Sequence, residues 1–387
     1  MKRILILTPN CPFPPYKSGG THALYNMIKN KFNNDYIDLV YYDEEDNEAE
    51  KEIKRYVNDV IYIPIKKKNI KVKRIISILK RIPFGIYQYD SKRLIISEKY
   101  DLVIFDQNLS LDLVNYIECK NKVLMAYDSM QLYFKRKSQI NSKISIANLY
   151  NLLQSKFYDR IKTKNYYKFN KIYFVSEKDS DYEKESNPDV KDRIDYIKLG
   201  VDYNKFNLDN YNSDSTQKSI IFTGIMDYAP NKDAVMFFCK SIMPILINKH
   251  PDLIFYIVGK NPDEDIKKLK NKNVVVTGFV EDIVECIARA TVYISPLRYG
   301  TGMKNKVLEA MSTGKAIVAS PISVEGIDEL KHSDNIFIAN REDDWIKYVD
   351  VLLNDENRRN VFSEKCRGII LENYNWEKSY EKLTKFI

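Results

Sequence analysis

The sequence predicts an α/β protein of two domains, each built on a parallel β-sheet covered by helices, with the two sheets facing across a cleft. Three observations carry that expectation. The chain is 387 residues long, short apolar runs alternate with helical patterns in both halves, and a polar stretch separates the halves. A single hydrophobic core rarely grows past about 250–300 residues, so a chain of this length is expected to divide. Parallel strands are covered on both faces by their connecting helices, so they read as unbroken apolar runs.

In the first half, residues 4–8, 37–42, 60–63, 102–105, 123–127 and 172–175 fit strands. Residues 21–32, 72–82, 109–117 and the long stretch 144–169 fit helices. Residues 204–218 (NKFNLDNYNSDSTQK) are poor in aliphatics and are expected to link a domain at 1–203 to one at 219–373. Residues 374–387 are expected to form a last helix that packs back on the N-terminal domain. The strand-helix alternation resumes at Ser219. In such folds ligands collect at the carboxyl ends of the strands.

Composition removes several classes of function. No apolar run approaches the roughly 18 residues of a membrane span. The opening MKRILILT is too short for a secretory leader, so a cytoplasmic location is expected. Cys11, Cys119, Cys239, Cys286 and Cys366 are scattered without CxxC spacing and read as reduced thiols. The net charge is +8, yet no nucleic-acid module is present and aromatics do not interleave with the basic run, so no nucleic-acid partner is expected.

The charge is unevenly placed. Residues 43–52 carry seven carboxylates, whereas residues 65–89 carry eight Lys or Arg and no acid. Between Lys66 and Arg81, the residues Val72, Ile75, Ile76, Leu79 and Ile82 follow helical spacing, with Lys73, Arg74, Lys80 and Arg81 largely on the other side. Such a helix can lie on an anionic membrane surface at about 1 kcal/mol per basic residue, giving a peripheral place at the inner face of the cell membrane. The plainer alternative is a core-facing helix with a solvated basic side.

The most informative stretch is residues 293–320, YISPLRYGTGMKNKVLEAMSTGKAIVAS. A short strand enters a loop carrying Arg298, Gly300, Gly302, Lys304 and Lys306, and a helix with Glu309 follows. Glycines at a strand-to-helix junction let backbone N–H groups approach a ligand, and the first helical turn adds donors with partial positive charge. Cations around those donors describe an anion site, best matched by a diphosphate. Glu309 follows on the same helix, where ribose hydroxyls can donate to it.

This block resembles the donor site of the retaining glycosyltransferases of family 4, which have the GT-B fold of two Rossmann-like domains. Residues 224–234 (GIMDYAPNKDA), 253–259 (LIFYIVG) and 274–280 (VVVTGFV) resemble successive strands and loops of the family's C-terminal domain. Residues 197–206 (IKLGVDYNKF) resemble its Asn-Gly-Val-Asp junction with Leu199 in place of Asn, and Trp376 stands where the family opens its last helix. Residues 14–20 (PPYKSGG) resemble the flexible glycine loop after the first strand, with Gly19 and Gly20. The likeness is strong from about 224 to 326 and weak from 37 to 194.

The resemblance implies transfer of a sugar from a nucleotide diphosphate sugar, with UDP or GDP expected, to an acceptor hydroxyl with retention, in surface-glycan assembly. The acceptor would be a glycan or a lipid-linked glycan. It places the base on backbone near Phe279 and Val280, the ribose on Glu309, and the diphosphate on Gly302, Lys304 and Arg298, with Gly224, Thr301 and Lys306 also lining the donor. Arg298 and Lys304 are the expected catalytic cations. The nucleotide sugar is a substrate, so no cofactor and no metal is expected.

Two departures stand out. The family's Glu eight residues before Glu309 is Thr301 here, which leaves the donor sugar open, and the Arg expected after Gly224 is Ile225. They leave room for a second reading, a catalytically silent GT-B subunit that binds a partner glycosyltransferase. On the other side, Gly19 and Gly20 fit a closing loop, and Asp128 and Asp106 end strands where site residues gather. His22 reads as a packing residue near a helix start more readily than as a base. Asp263-Glu264-Asp265 precedes a lysine-rich helix, so it reads as N-terminal helix charge rather than a metal motif.

Overall fold

A computed structural model describes residues 1–13, 19–32, 35–42, 47–64, 70–87, 99–140, 145–208, 211 and 217–380. They fall into two compact units: Met1–Lys198 together with the C-terminal residues from Ser379, and Leu199–Lys378. The division falls before the polar 204–218 stretch, of which residues 209–210 and 212–216 lie outside the described residues. The physical reason is packing. Phe206 is buried in the second unit, where Ser312 Oγ and the Arg367 guanidinium donate to its carbonyl.

The first unit holds a seven-stranded sheet in the order β3-β2-β1-β4-β5-β6-β7. Its strands are β1 Arg3–Thr8, β2 Tyr36–Tyr41, β3 Asp59–Tyr62, β4 Leu102–Asp106, β5 Lys122–Tyr127, β6 Lys171–Phe174 and β7 Ile194–Tyr196. Every pairing is parallel, with Ile4 beside both Ile37 and Leu102. β4 is buried at all its positions, as a strand covered on both faces must be. The expected strands thus form, and the short β7 joins them at the edge.

The second unit holds a six-stranded sheet, β10-β9-β8-β11-β12-β13. Its strands are β8 Ser219–Thr223, β9 Ile254–Val258, β10 Val274–Gly278, β11 Val292–Ser295, β12 Ile317–Ala319 and β13 Phe337–Ile338. Ile220, Phe222, Phe255, Ile257, Val292, Ile294 and Val318 meet Phe238, Leu246 and Trp345 in one core. In both sheets the strand order reverses at the first strand of the unit, so the crevice for ligands lies between β1 and β4 and between β8 and β11.

Six helices recur below: α1 Gly19–Lys31, α2 Ile70–Lys80, α3 Met130–Gln139, α4 Ile146–Asn165, α5 Ala229–Phe237 and α6 Asn305–Ser312. The expected long helix at 144–169 is α4 followed by a separate tight turn at Tyr166–Lys168, and Ser145 caps its start. The expected helix at 109–117 is wound as a 3₁₀ helix, Asn108–Tyr116. The expected C-terminal helix is described only over Trp376–Ser379, and residues 381–387 lie outside the described residues. Among the described residues no helix is long and apolar enough to cross a membrane.

Candidate functional site

The loops that follow β8 and β11 converge at the crevice of the second sheet. Their approach depends on glycine. The carbonyl oxygen of Gly224 stands 1.7 Å from where a Cβ on Gly259 would be, so no side chain fits at 259. A Cβ on Gly224 would itself lie 2.9 Å from Lys306 Nζ and 2.6 Å from Asn231 Nδ2. After β11, Gly300 (φ 143°) and Gly302 (φ 70°) take conformations that residues with a Cβ avoid.

Lys306, in the first turn of α6, points its ammonium into this crevice. Nζ donates to Asn231 Oδ1 at 2.5 Å and lies 4.2 Å from the centre of the Phe222 ring. Asn231 is held in turn, its amide donating to the Ile225 carbonyl at 2.9 Å. The surrounding protein desolvates the ammonium and pushes its pKa down to about 7, with the Lys304 charge adding to the fall and Glu309 opposing it.

Glu309 lies one turn further along α6, between the buried Leu308 and Ala310. Burial raises its carboxyl to about 7, and Lys306 and Lys205 pull the other way. Among the described residues no protein donor is hydrogen-bonded to this carboxylate. Tyr293 faces it from β11, and its hydroxyl shares a 2.6 Å hydrogen bond with Thr223 Oγ1 at the end of β8. The crevice therefore combines a half-desolvated cation with a carboxylate that has acceptor capacity to spare.

Lys304, Thr301, Phe279, Val280 and Arg298 are the other expected residues of this unit. Lys304 stands just before α6 without capping it through its side chain, and its ammonium curls back to the carbonyls of Thr301 (2.9 Å) and Gly302 (2.5 Å) in its own loop. Thr301 is buried. Phe279 follows Gly278 at the end of β10 and is 68% exposed, with Val280 half-buried beside it. Arg298 is differently engaged than its loop position suggests. Its guanidinium makes a two-pronged pair with Asp233 of α5, at 2.8 and 2.5 Å, and lies over the Phe237 ring.

Asp263 caps the short helix Glu264–Lys267 and pairs with Lys232, which also reaches Asp265 at 2.6 Å. Lys232 is thereby committed to those carboxylates. Among the described residues no cluster of His, Cys, Asp and Glu could hold a metal ion.

In the first unit, Gly19 and Gly20 open α1, while residues 14–18 of the expected glycine loop lie outside the described residues. A Cβ on Gly20 would meet the Gln107 side chain at 3.0 Å. Gln107 (φ 63°, ψ 157°) and Tyr127 (φ 60°) both hold strained backbone at strand ends. Both are tied to Asp106, which accepts from Tyr127 Oη (2.8 Å), Thr8 Oγ1 (2.9 Å) and Gln107 Nε2 (3.2 Å). Burial raises Asp106 to about 7 despite these three donors. Asp128 is half-buried just before α3, its carbonyl taking a 2.7 Å bond from Asn108.

Sequence reasoning missed Asn231, Gln107 and Tyr127. The Asn231 signal was present, since it lies in the GIMDYAPNKDA segment at the start of α5, but an Asn there reads as a turn residue.

Comparison with known proteins gives this geometry a class. Residues 217–355 match the family model of the group 1 glycosyl transferases. The whole chain superposes on Anabaena HepE, solved with UDP and glucose, with a TM-score of 0.67 at 12% identity, covering 100% of this chain and 99% of that one. The fold is GT-B, and the second unit is similar to the group 1 glycosyl transferases.

Two further proteins are similar to this chain. A 44.6 kDa protein of the Klebsiella pneumoniae cps region is 22% identical over the full length of both chains. The Escherichia coli UDP-Gal:alpha-D-GlcNAc-diphosphoundecaprenol alpha-1,3-galactosyltransferase is 27% identical over 49% of this chain and 53% of its own.

Proposed function

We propose that the protein transfers a sugar from a UDP-sugar to a hydroxyl of a lipid-diphosphate-linked glycan, with retention at the anomeric carbon, in the assembly of a surface polysaccharide. The observation that carries this reading is Lys306: an ammonium desolvated at the crevice of the second sheet, beside the Glu309 carboxylate, to which no protein donor is hydrogen-bonded among the described residues. A diphosphate supplies the charge that such a cation lacks. Ribose hydroxyls supply the donors that Glu309 lacks.

On this reading the uracil lies along Phe279 and Val280, the ribose on Glu309, and the diphosphate over Gly224, Gly302, Lys304 and Lys306. Negative charge grows on the distal phosphate as the glycosidic bond breaks. A fixed cation there stabilises the transition state more than the ground state. The departing phosphate oxygen takes the proton of the attacking hydroxyl on the same face of the sugar, so configuration is kept. Arg298 braces the loop through Asp233 rather than touching the leaving group. Asp128, Gly19 and Gly20 belong to the acceptor side. UDP is favoured over GDP because HepE was solved with UDP and the E. coli relative uses UDP-Gal.

The experiment is incubation with UDP-, GDP- and ADP-sugars and lipid-diphosphate acceptors, with the product linkage read by NMR. An α-linked product from an α-UDP-sugar is expected, and an inverted product would overturn retention. Binding of UDP-sugars with no turnover on any acceptor or water would favour the silent subunit, which the loss of the carboxylate at Thr301 keeps in play.

A further inference from the structure

We infer that the first unit seats on an anionic lipid bilayer through an apolar face formed by two touching helices, α2 and α4. The sequence pattern marks the first helix as amphipathic; the structure half-buries Ile76 and Ile82 of its apolar stripe, Ile82 against the core, but turns the others outward. Val72, Ile75, Ile78 and Leu79 are all exposed, Leu79 at 76%, while the polar Ser77 is buried. A core helix does the opposite. The start of α4 repeats the pattern with Ile146 (90% exposed), Leu149 and Leu152.

These stripes belong to neighbouring helices. Arg74 of α2 lies 5.9 Å from the Tyr150 ring of α4, and Gln154 Nε2 of α4 reaches Ser77 Oγ of α2 at 3.4 Å. Single exposed apolar residues are ordinary, but seven on two adjoining helices form a patch that water does not favour.

Charge selects the occupant. Residues 65–89, which contain α2, carry eight Lys or Arg and no acid, and residues 129–158, which contain most of α4, carry five and no acid. Arg74, Lys80, Arg81 and Lys156 are exposed around the stripes. Lys137 of α3 adds a further cation near Arg74: burial first, and then the Arg74 charge, lower its ammonium. A second protein copy bearing the same patch would bring like charges together. Acidic headgroups take the cations while the acyl boundary takes Leu79 and Ile146. A lipid-linked acceptor would be met at this surface, yet the inference does not need the glycosyl-transfer reading.

Flotation with phosphatidylcholine vesicles, with and without phosphatidylglycerol, tests it. Binding is expected only to the acidic vesicles and should weaken with salt. The variant Ile75→Ser/Leu79→Ser/Ile146→Ser/Leu149→Ser should bind them about tenfold or more weakly, because four apolar side chains no longer enter the acyl boundary. Its UDP-sugar thermal shift should match the parent, which shows the variant folded. Equal vesicle binding by parent and variant overturns the inference, as does equal binding to neutral and acidic vesicles. A parent dimer by light scattering that the variant lacks, without vesicle binding, also overturns it. Loss of donor turnover with vesicle binding intact would count against the proposed function and leave this surface standing.

Discussion

The two sheets run in the same order with the unit's first strand at the reversal point, yet the groups gathered at the two crevices have opposite character. Between β8 and β11 the backbone is opened by glycines, and a lysine is pulled inward. Between β1 and β4 the corresponding place holds a buried carboxyl, Asp106, and strained residues that carry side chains, Gln107 and Tyr127. On the proposed reading one frame serves two tasks: the glycine-lined crevice would receive an anion against main chain, while the strained one would position side chains for an uncharged hydroxyl.

The sharpest way to break this contrast is Lys306→Ala, expected to lower kcat about 10²–10³-fold by loss of a preorganised cation. Lys306→Arg should keep far more. With Lys306 held near pKa 7, UDP affinity of the parent should fall as pH rises above 7, because the protonated form is the binding one. Arginine stays charged, so that fall should vanish in Lys306→Arg; calorimetric titration across the pH range decides it.

Next in size is Gly259→Ala, where the new methyl meets the Gly224 carbonyl. A loss of about 2–3 kcal/mol in the unfolding free energy, with weakened UDP binding, is expected in denaturant titrations. Glu309→Ala should raise the KM for the UDP-sugar by about tenfold or more, the scale of hydrogen bonds to a charged group, with a smaller change in kcat.

On the other sheet, Asp106→Asn tests the buried carboxyl. The folded pKa near 7 lies above that of an ordinary carboxyl, so between about pH 4 and 7 the native state holds a proton that the unfolded state releases. Parent stability relative to Asp106→Asn should therefore decline as pH rises through that window, measured by thermal unfolding. Smallest is the brace at Arg298, an exposed pair with Asp233: Arg298→Ala and Asp233→Ala should lower activity equally and by less than about 1 kcal/mol. A much larger loss for Arg298→Ala alone would return it to the leaving group.

The sheets were legible because buried parallel strands leave unbroken apolar runs, and one side of the second crevice drew notice because Arg298, Gly300, Gly302, Lys304, Lys306 and Glu309 lie within a dozen residues of one another. What escaped depends on distance along the chain. Arg298 looked free until folding brought Asp233 beside it from α5. Asn231 reads as a turn residue until Lys306 lies against it. The strain at Gln107 and Tyr127 leaves no mark in the sequence, since neither is a glycine and their conformations are imposed by contacts with Asp106. The helix α3 was missed as well, its ten residues being short and dense in cations.

Beneath the Lys306 ammonium lies Gly224, and against Gly224 lies Gly259, so the floor of that crevice is peptide rather than side chain. A floor of this kind cannot be deepened by trimming a residue, because there is nothing left to remove. On the proposed reading, fitting a bulkier donor would mean remodelling the rim, at Thr301, Phe279 or Lys304, or shifting a whole strand.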